Sequence, residues 1–259
     1  MSFSFPSVSL RSWTGWQPEG SRLQLRAAPA ELDPRMWAAL GGSLTLARDL
    51  DEPWPQSLAR RRGGSVLNMG LAQGGPETLL AEPALIGLAT QARLRVIEIP
   101  DAINLSNPLY RVHWRRNDRF LDAAPALRRL YPEVDFTDHA FTRHMLLRLQ
   151  QLGPSRFAQV TEALRRVWVL RMRQLIDAVG GGVLLWVAAR DVLPRALMQG
   201  RPIDDDAPAL VDAEMLSMLA SRCGDPVIVK VAPRSIRAPD QFLHDTIADR
   251  LLTHLSALK

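Results

Sequence analysis

The chain has 259 residues, 47% apolar and 23% charged, with a formal net charge of +5; that is enough for one sizeable core of ordinary globular composition. Its longest strongly apolar run, residues 183–189, is too short to span a bilayer, and no basic segment followed by an apolar stretch opens the chain as a secretory leader would. Cys223 is the only cysteine, which excludes an internal disulfide and a cysteine-built metal cage.

Positive charge is almost entirely arginine, since Lys230 and Lys259 are the only lysines. Arginine runs (Arg60, Arg61, Arg62; Arg111, Arg115, Arg116, Arg119) coexist with an acidic patch at Asp204, Asp205 and Asp206. A nucleic-acid binder would show a continuous basic face with stacking aromatics instead. Guanidinium forks suit carboxylate, sulfate or phosphate. The expectation is a cytoplasmic protein with a small-molecule or glycan ligand, an anionic one among the choices. No nucleic acid, membrane span, metal or cofactor is expected.

In chain order, residues 1–30 read as an irregular arm, with Trp13 and Trp16 placed to pin it to the surface. Residues 31–259 read as one α/β domain. Residues 36–40 form an apolar run stopped by Gly41-Gly42, the pattern of a buried strand entering a tight turn. Residues 66–69, ending at Gly70, and 94–99, ended by Pro100-Asp101, predict a second and third strand. Residues 108–150 predict a helical insertion or lid. Phe157, Val160, Leu164, Val167, Trp168, Leu175 and Ile176 recur at helical spacing, predicting a helix over 155–179. Ser155 is its expected N-cap, Gly180 its stop, and Arg165, Arg166 and Arg173 lie off its apolar face. Strands over 183–188 and 226–231 and a closing helix over 242–258 complete the pattern. Alternating strands and helices predict a parallel sheet with helices on both faces, whose ligand site lies at the carboxyl ends of the strands.

Those strand ends carry the most informative residues. Gly41-Gly42-Ser43-Leu44-Thr45 follows the first strand, Asn68-Met69-Gly70 ends the second, and Ala102-Ile103-Asn104 follows the third. Together they resemble three blocks of the SGNH (GDSL-like) hydrolases: Gly-Asp-Ser-Leu-Thr, an oxyanion-binding glycine, and Gly-x-Asn. The resemblance implies a flavodoxin-like three-layer α/β fold. It implies Ser43 as nucleophile, with Gly70, Asn104 and the Ser43 N–H around the oxyanion. Read without it, Ser43 serves equally well as the cap of a helix starting near Thr45.

The family's final Asp-x-x-His-Pro block is missing. Counting back from Ile247-Ala248-Asp249-Arg250-Leu251 places Ala238-Pro239 and Ser235 at its positions. A hydroxyl is a poor nucleophile until a neighbouring base takes its proton. His244 and His113 are the substitute candidates; a helical His244 would be displaced by about 9 Å from the expected base position. Residues 110–144 interleave arginine, histidine and aromatics. They read either as a solvated insertion or as a lid in which His113, Arg115, Arg116, Arg143 and His144 hold an anionic or polyhydroxy ligand. The whole chain is also similar to an uncharacterised bacterial family sharing Arg-Arg-Asn-Asp-Arg-Phe and Phe-Thr-Arg-His; members of that family are thought to lie near surface-polysaccharide genes. Two functions follow: a divergent ester hydrolase or acyl transferase acting on carbohydrate esters, or a catalytically silent pocket of the same fold.

Overall fold

In a computed structural model, which describes residues 15–28, 35–198, 200–203 and 208–256, the chain forms seven strands. They are β1 (Trp37–Gly41), β2 (Val66–Gly70), β3 (Leu94–Glu98), β4 (Tyr110–Val112), β5 (Phe120–Ala123), β6 (Val183–Ala188) and β7 (Val227–Lys230). Five make a parallel sheet in the order β2-β1-β3-β6-β7, while β4 and β5 pair antiparallel outside it. With that hairpin set aside, the sheet has the second-first-third-fourth-fifth order of a flavodoxin-like doubly wound fold, and the winding reverses between β1 and β3. Gly41 pairs with Gly70, and Leu40 with Ile97. The ends of the first three strands are therefore level.

Side chains alternate across the sheet. Leu184, Trp186 and Ala188 face one buried cluster, and Val183, Leu185 and Val187 face the other. Both faces are covered, so β6 reads as continuously apolar. The first cluster packs under the long helix Pro154–Val179 and the short helices Pro76–Leu80 and Pro83–Gln91. Trp54 and Leu58 from Trp54–Arg62 meet Leu243, Ile247 and Leu251 from Gln241–Ser256 in the second. The result is the expected α/β architecture of a parallel sheet between helices.

Several expectations change in detail. Gly153, not Ser155, caps the long helix, because Pro154 takes the first helical position, where its missing N–H costs nothing. Gly180 ends that helix in the left-handed region at φ 77°. Arg165 is buried rather than off the apolar face, paired with the buried Asp212. The 108–150 insertion is only partly helical. It opens as the β4–β5 hairpin, because Tyr110, Arg111 and Val112 alternate buried, exposed, buried; the helices Pro125–Leu130 and Thr142–Leu152 follow.

The arm is pinned through Trp16, whose main chain pairs with that of Leu25 at 2.9 and 2.8 Å, while Leu23 and Leu25 enter the core. Trp13, the acidic patch at Asp204, Asp205 and Asp206, and the end of the closing helix at Leu258 lie outside the described residues. No described helix is long and apolar enough to cross a membrane.

Candidate functional site

A cleft of about 1000 Å³ opens over the carboxyl ends of β1, β2 and β3, where the winding of the sheet reverses. Ser43, Glu98, Asn104, His113 and His244 all line it. Ser43 begins the short helix Ser43–Leu46 and is exposed. It does not cap that helix, since Gly42 holds the N-cap position without a side-chain bond. Its Oγ instead accepts from the Gln73 N–H at 3.0 Å. Gln73 sits at φ 54°, a left-handed conformation that non-glycine residues seldom adopt.

The turn carrying Ser43 is held by Glu98, the last residue of β3. Glu98 Oε2 accepts from the Gly42 N–H at 3.1 Å, the Thr45 N–H at 3.0 Å and the Thr45 hydroxyl. A Cβ on Gly41 would overlap Thr45 Oγ1 and Glu98 Oε2, so glycine is required because the carboxyl fills that space. Burial pushes the Glu98 pKa up, against these three donors. The GDSL-type block carries an aspartate where this chain has Gly42; here a carboxyl reaches the same turn from the neighbouring strand. Sequence reasoning missed Glu98. The signal was a glutamate at the end of a strand beside a Gly-Gly turn.

Of the expected oxyanion donors, Asn104 lines the cleft, with its Oδ1 accepting from Thr142 Oγ1 at 2.6 Å. Gly70 does not line the cleft, and its N–H donates to Asn68 Oδ1 at 2.9 Å. Its lack of a side chain has another cause: a Cβ there would overlap the main chain of Leu46. Gly70 lets the Ser43 helix pack against β2; it presents no donor to the cleft.

Both candidate histidines reach the cleft. His244 is 0% exposed, in the first turn of Gln241–Ser256, and its Nδ1 accepts from the Trp54 N–H at 3.0 Å. Its Nε2 is buried without a hydrogen-bond partner. Burial pushes its pKa down to about 4, outweighing the nearby Asp240 and Asp245. His113 Nδ1 accepts from the N–H groups of Arg115 and Arg116 at 3.2 and 3.1 Å. A ring nitrogen that accepts from an N–H is unprotonated, so in each neutral ring the proton sits on Nε2. At the family's His-Pro position, Pro239 lines the cleft, and Ala238 beside it offers no base.

The arginine loop is anchored to the loop and helix that follow β2. The Asn117 N–H donates to Gln73 O at 2.9 Å, and Thr78 Oγ1 donates to Trp114 O at 2.9 Å. Arg115, Arg116 and Arg143 line the cleft. Arg116 pairs with Asp118 at 3.3 Å and Arg143 with Asp101 at 2.9 Å. His144 does not line the cleft; it is exposed, edge-on to Phe141 at 5.7 Å. Arg48, which sequence reasoning missed, lines the cleft beside Arg115. Among the described residues no group of histidines, cysteines or carboxylates could hold a metal ion.

Residues 1–254 match the family described as "Domain of unknown function (DUF6473)", and the chain belongs to that family. No curated protein matches it. Among solved structures it is similar to the lipase Lip_vut3 from a goat rumen metagenome, at 11% identity over 84% of this chain and 96% of that one, with a TM-score of 0.42. It is also similar to the salicylyl-acyltransferase SsfX3 from a tetracycline biosynthetic pathway, at 12% identity over 86% of this chain and 55% of that one, with a TM-score of 0.34.

Proposed function

We propose that the chain binds a small glycan-like or anionic ligand in this cleft and that the pocket, of SGNH type by its strand-end blocks, lacks serine-ester chemistry. One observation carries the reading: both cleft histidines accept a main-chain hydrogen bond at Nδ1. A serine base needs the opposite polarity, with Nδ1–H donating to an orienting group and the Nε2 lone pair facing the hydroxyl. With the proton on Nε2, His113 is a donor toward a ligand, His244 Nε2 stays buried, and neither can take the Ser43 proton. Severing a nucleophile from its base removes most of the chemistry, because such groups act as a unit. Asn104 and Ser43 then serve as polar contacts.

The test pairs two assays. A fluorophosphonate probe should leave Ser43 unlabelled, and turnover of p-nitrophenyl acetate should match that of Ser43→Ala. Saturation-transfer NMR against a panel of monosaccharides, their N-acetyl derivatives and their phosphate esters should give binding that Ser43→Trp blocks. Rapid labelling that depends on Ser43, or no binding across the panel, would contradict the reading.

A second reading, a divergent ester hydrolase or acyl transferase acting on carbohydrate esters, is favoured by one observation. Glu98, with its raised pKa, lines the same cleft as the exposed Ser43. Ser43-dependent labelling that disappears in Glu98→Gln would support it and name the base.

A further inference from the structure

Beside the cleft lies a smaller cavity of about 110 Å³, room for roughly three or four water-sized groups. Arg48 and Arg115 line both spaces. Most arginines flanking the fold are engaged, as Arg22 is with Glu82 and Arg156 with Glu133. The guanidinium groups of Arg48 and Arg115 have no partner among the described residues. Other arginines, Arg129 among them, are also unpaired, but they do not converge on a cavity.

Both arginines are held from behind. Arg26 is buried and donates to the carbonyls of Leu46 and Ala47, at 3.1 and 2.7 Å, where Ala47 ends the Ser43 helix in the left-handed region at φ 41°. That clamp sets the start of the Arg48 segment. Arg115 rides the loop that hydrogen bonds at Thr78 and Asn117 tie to the segment after β2. The two spaces differ in their acidic lining. The main cleft mixes Asp49, Glu98 and Asp101 with Arg48, Arg115, Arg116 and Arg143, whereas no carboxylate lines the side cavity. An anionic group is favoured between the two guanidiniums, with no carboxylate there to compete for them.

We infer that the side cavity between Arg48 and Arg115 is an anion subsite for a compact oxyanion, a phosphate, sulfate or short carboxylate, with the rest of the ligand extending into the cleft toward Ser43 and Asn104. The inference rests on the binding reading above and deepens it. The subsite takes the charged substituent of a larger polar ligand. Ligands with an anionic group and a polar body fill both spaces; neutral ones leave the arginines unused.

The experiment is calorimetric titration of the full chain with inorganic phosphate, sulfate and acetate at low salt. At least one should bind. Arg48→Gln and Arg115→Gln should each weaken that binding by about tenfold or more, as expected for a lost charge-assisted hydrogen bond, and the double variant should abolish it. Arg129→Gln removes an equal charge away from the cavity and should change affinity less than about twofold. Melting temperatures of the arginine variants should stay near wild type, because exposed arginines without partners contribute little. No binding of any of the three anions, or equal binding by the double variant, overturns the subsite. Ser43→Trp keeps the two claims apart, since Ser43 lines the cleft but not the side cavity. Phosphate retained with the sugar panel lost supports both. A panel that binds while all three anions fail sinks only the subsite.

Discussion

The two walls of the cleft contrast. On the strand-end wall, Ser43, Glu98 and Gln73 form a tight polar turn in which the Gly42, Thr45 and Gln73 N–H groups each donate to a side-chain oxygen. On the opposite wall, the closing helix brings His244 to the cleft buried, pushed toward its neutral form, and with its Nδ1 lone pair taken by the Trp54 N–H. One wall presents an exposed serine hydroxyl; on the other, the histidine Nδ1 lone pair is already engaged. Proximity of a serine and a histidine is therefore a weak sign of catalysis; the direction of the hydrogen bond at Nδ1 decides it.

The largest effect should come from the packing of the strand-end wall. Gly70→Ala places a Cβ against the main chain of Leu46, which cannot move without displacing the Ser43 helix. A loss of about 3 kcal/mol or more is expected from such overpacking, read by urea denaturation. A loss below about 1 kcal/mol would mean that the turn is not rigidly seated.

Next in size is the acid response of the helix wall. The folded pKa of His244 lies below its unfolded value, so between about pH 6.5 and 4 the unfolded chain binds more protons and stability falls as pH falls. The full effect is about 3 kcal/mol. His244→Gln keeps an acceptor for the Trp54 N–H and removes the titration, so its stability should fall clearly less than wild type across that window. An unchanged slope in the variant would show that another group is responsible.

A smaller effect separates Glu98 from His244. Its folded pKa is raised, so the native state holds the proton longer and stability falls as pH rises past the ordinary carboxylate range, opposite in sign to His244. Thr45→Val removes the hydroxyl donor to Glu98 Oε2. It should cost about 1 kcal/mol at neutral pH and raise the carboxyl pKa further, seen by carboxyl ¹³C NMR. A lowered pKa in Thr45→Val would contradict the placement of that bond.

The sheet was legible because burial on both faces leaves its strands as short apolar runs ended by Gly or Pro, as at Gly41, Gly70 and Pro100. The β4–β5 hairpin was not, since three alternating residues at Tyr110, Arg111 and Val112 carry too little pattern to outweigh the helical segments after them. Ser43 and Asn104 drew attention because each follows a predicted strand end, and His113 because it follows the Asn104 loop; all three line the cleft. Glu98 was missed because its role depends on facing two glycines across a parallel pair, a contact that linear spacing does not encode. Gly70 was placed correctly but given the wrong duty: its N–H is used within its own strand, by Asn68. His244 was reached by counting helical rise, which gives position but not which ring nitrogen faces the Trp54 N–H.

The most direct test of the account is the ring ¹⁵N and ¹H NMR of His113 and His244 in the full chain near pH 7. Both should show a proton on Nε2 and an unprotonated, hydrogen-bonded Nδ1, with His244 staying neutral until pH approaches 4. A proton on Nδ1 of either ring would contradict the account and reopen the case for a base that serves Ser43.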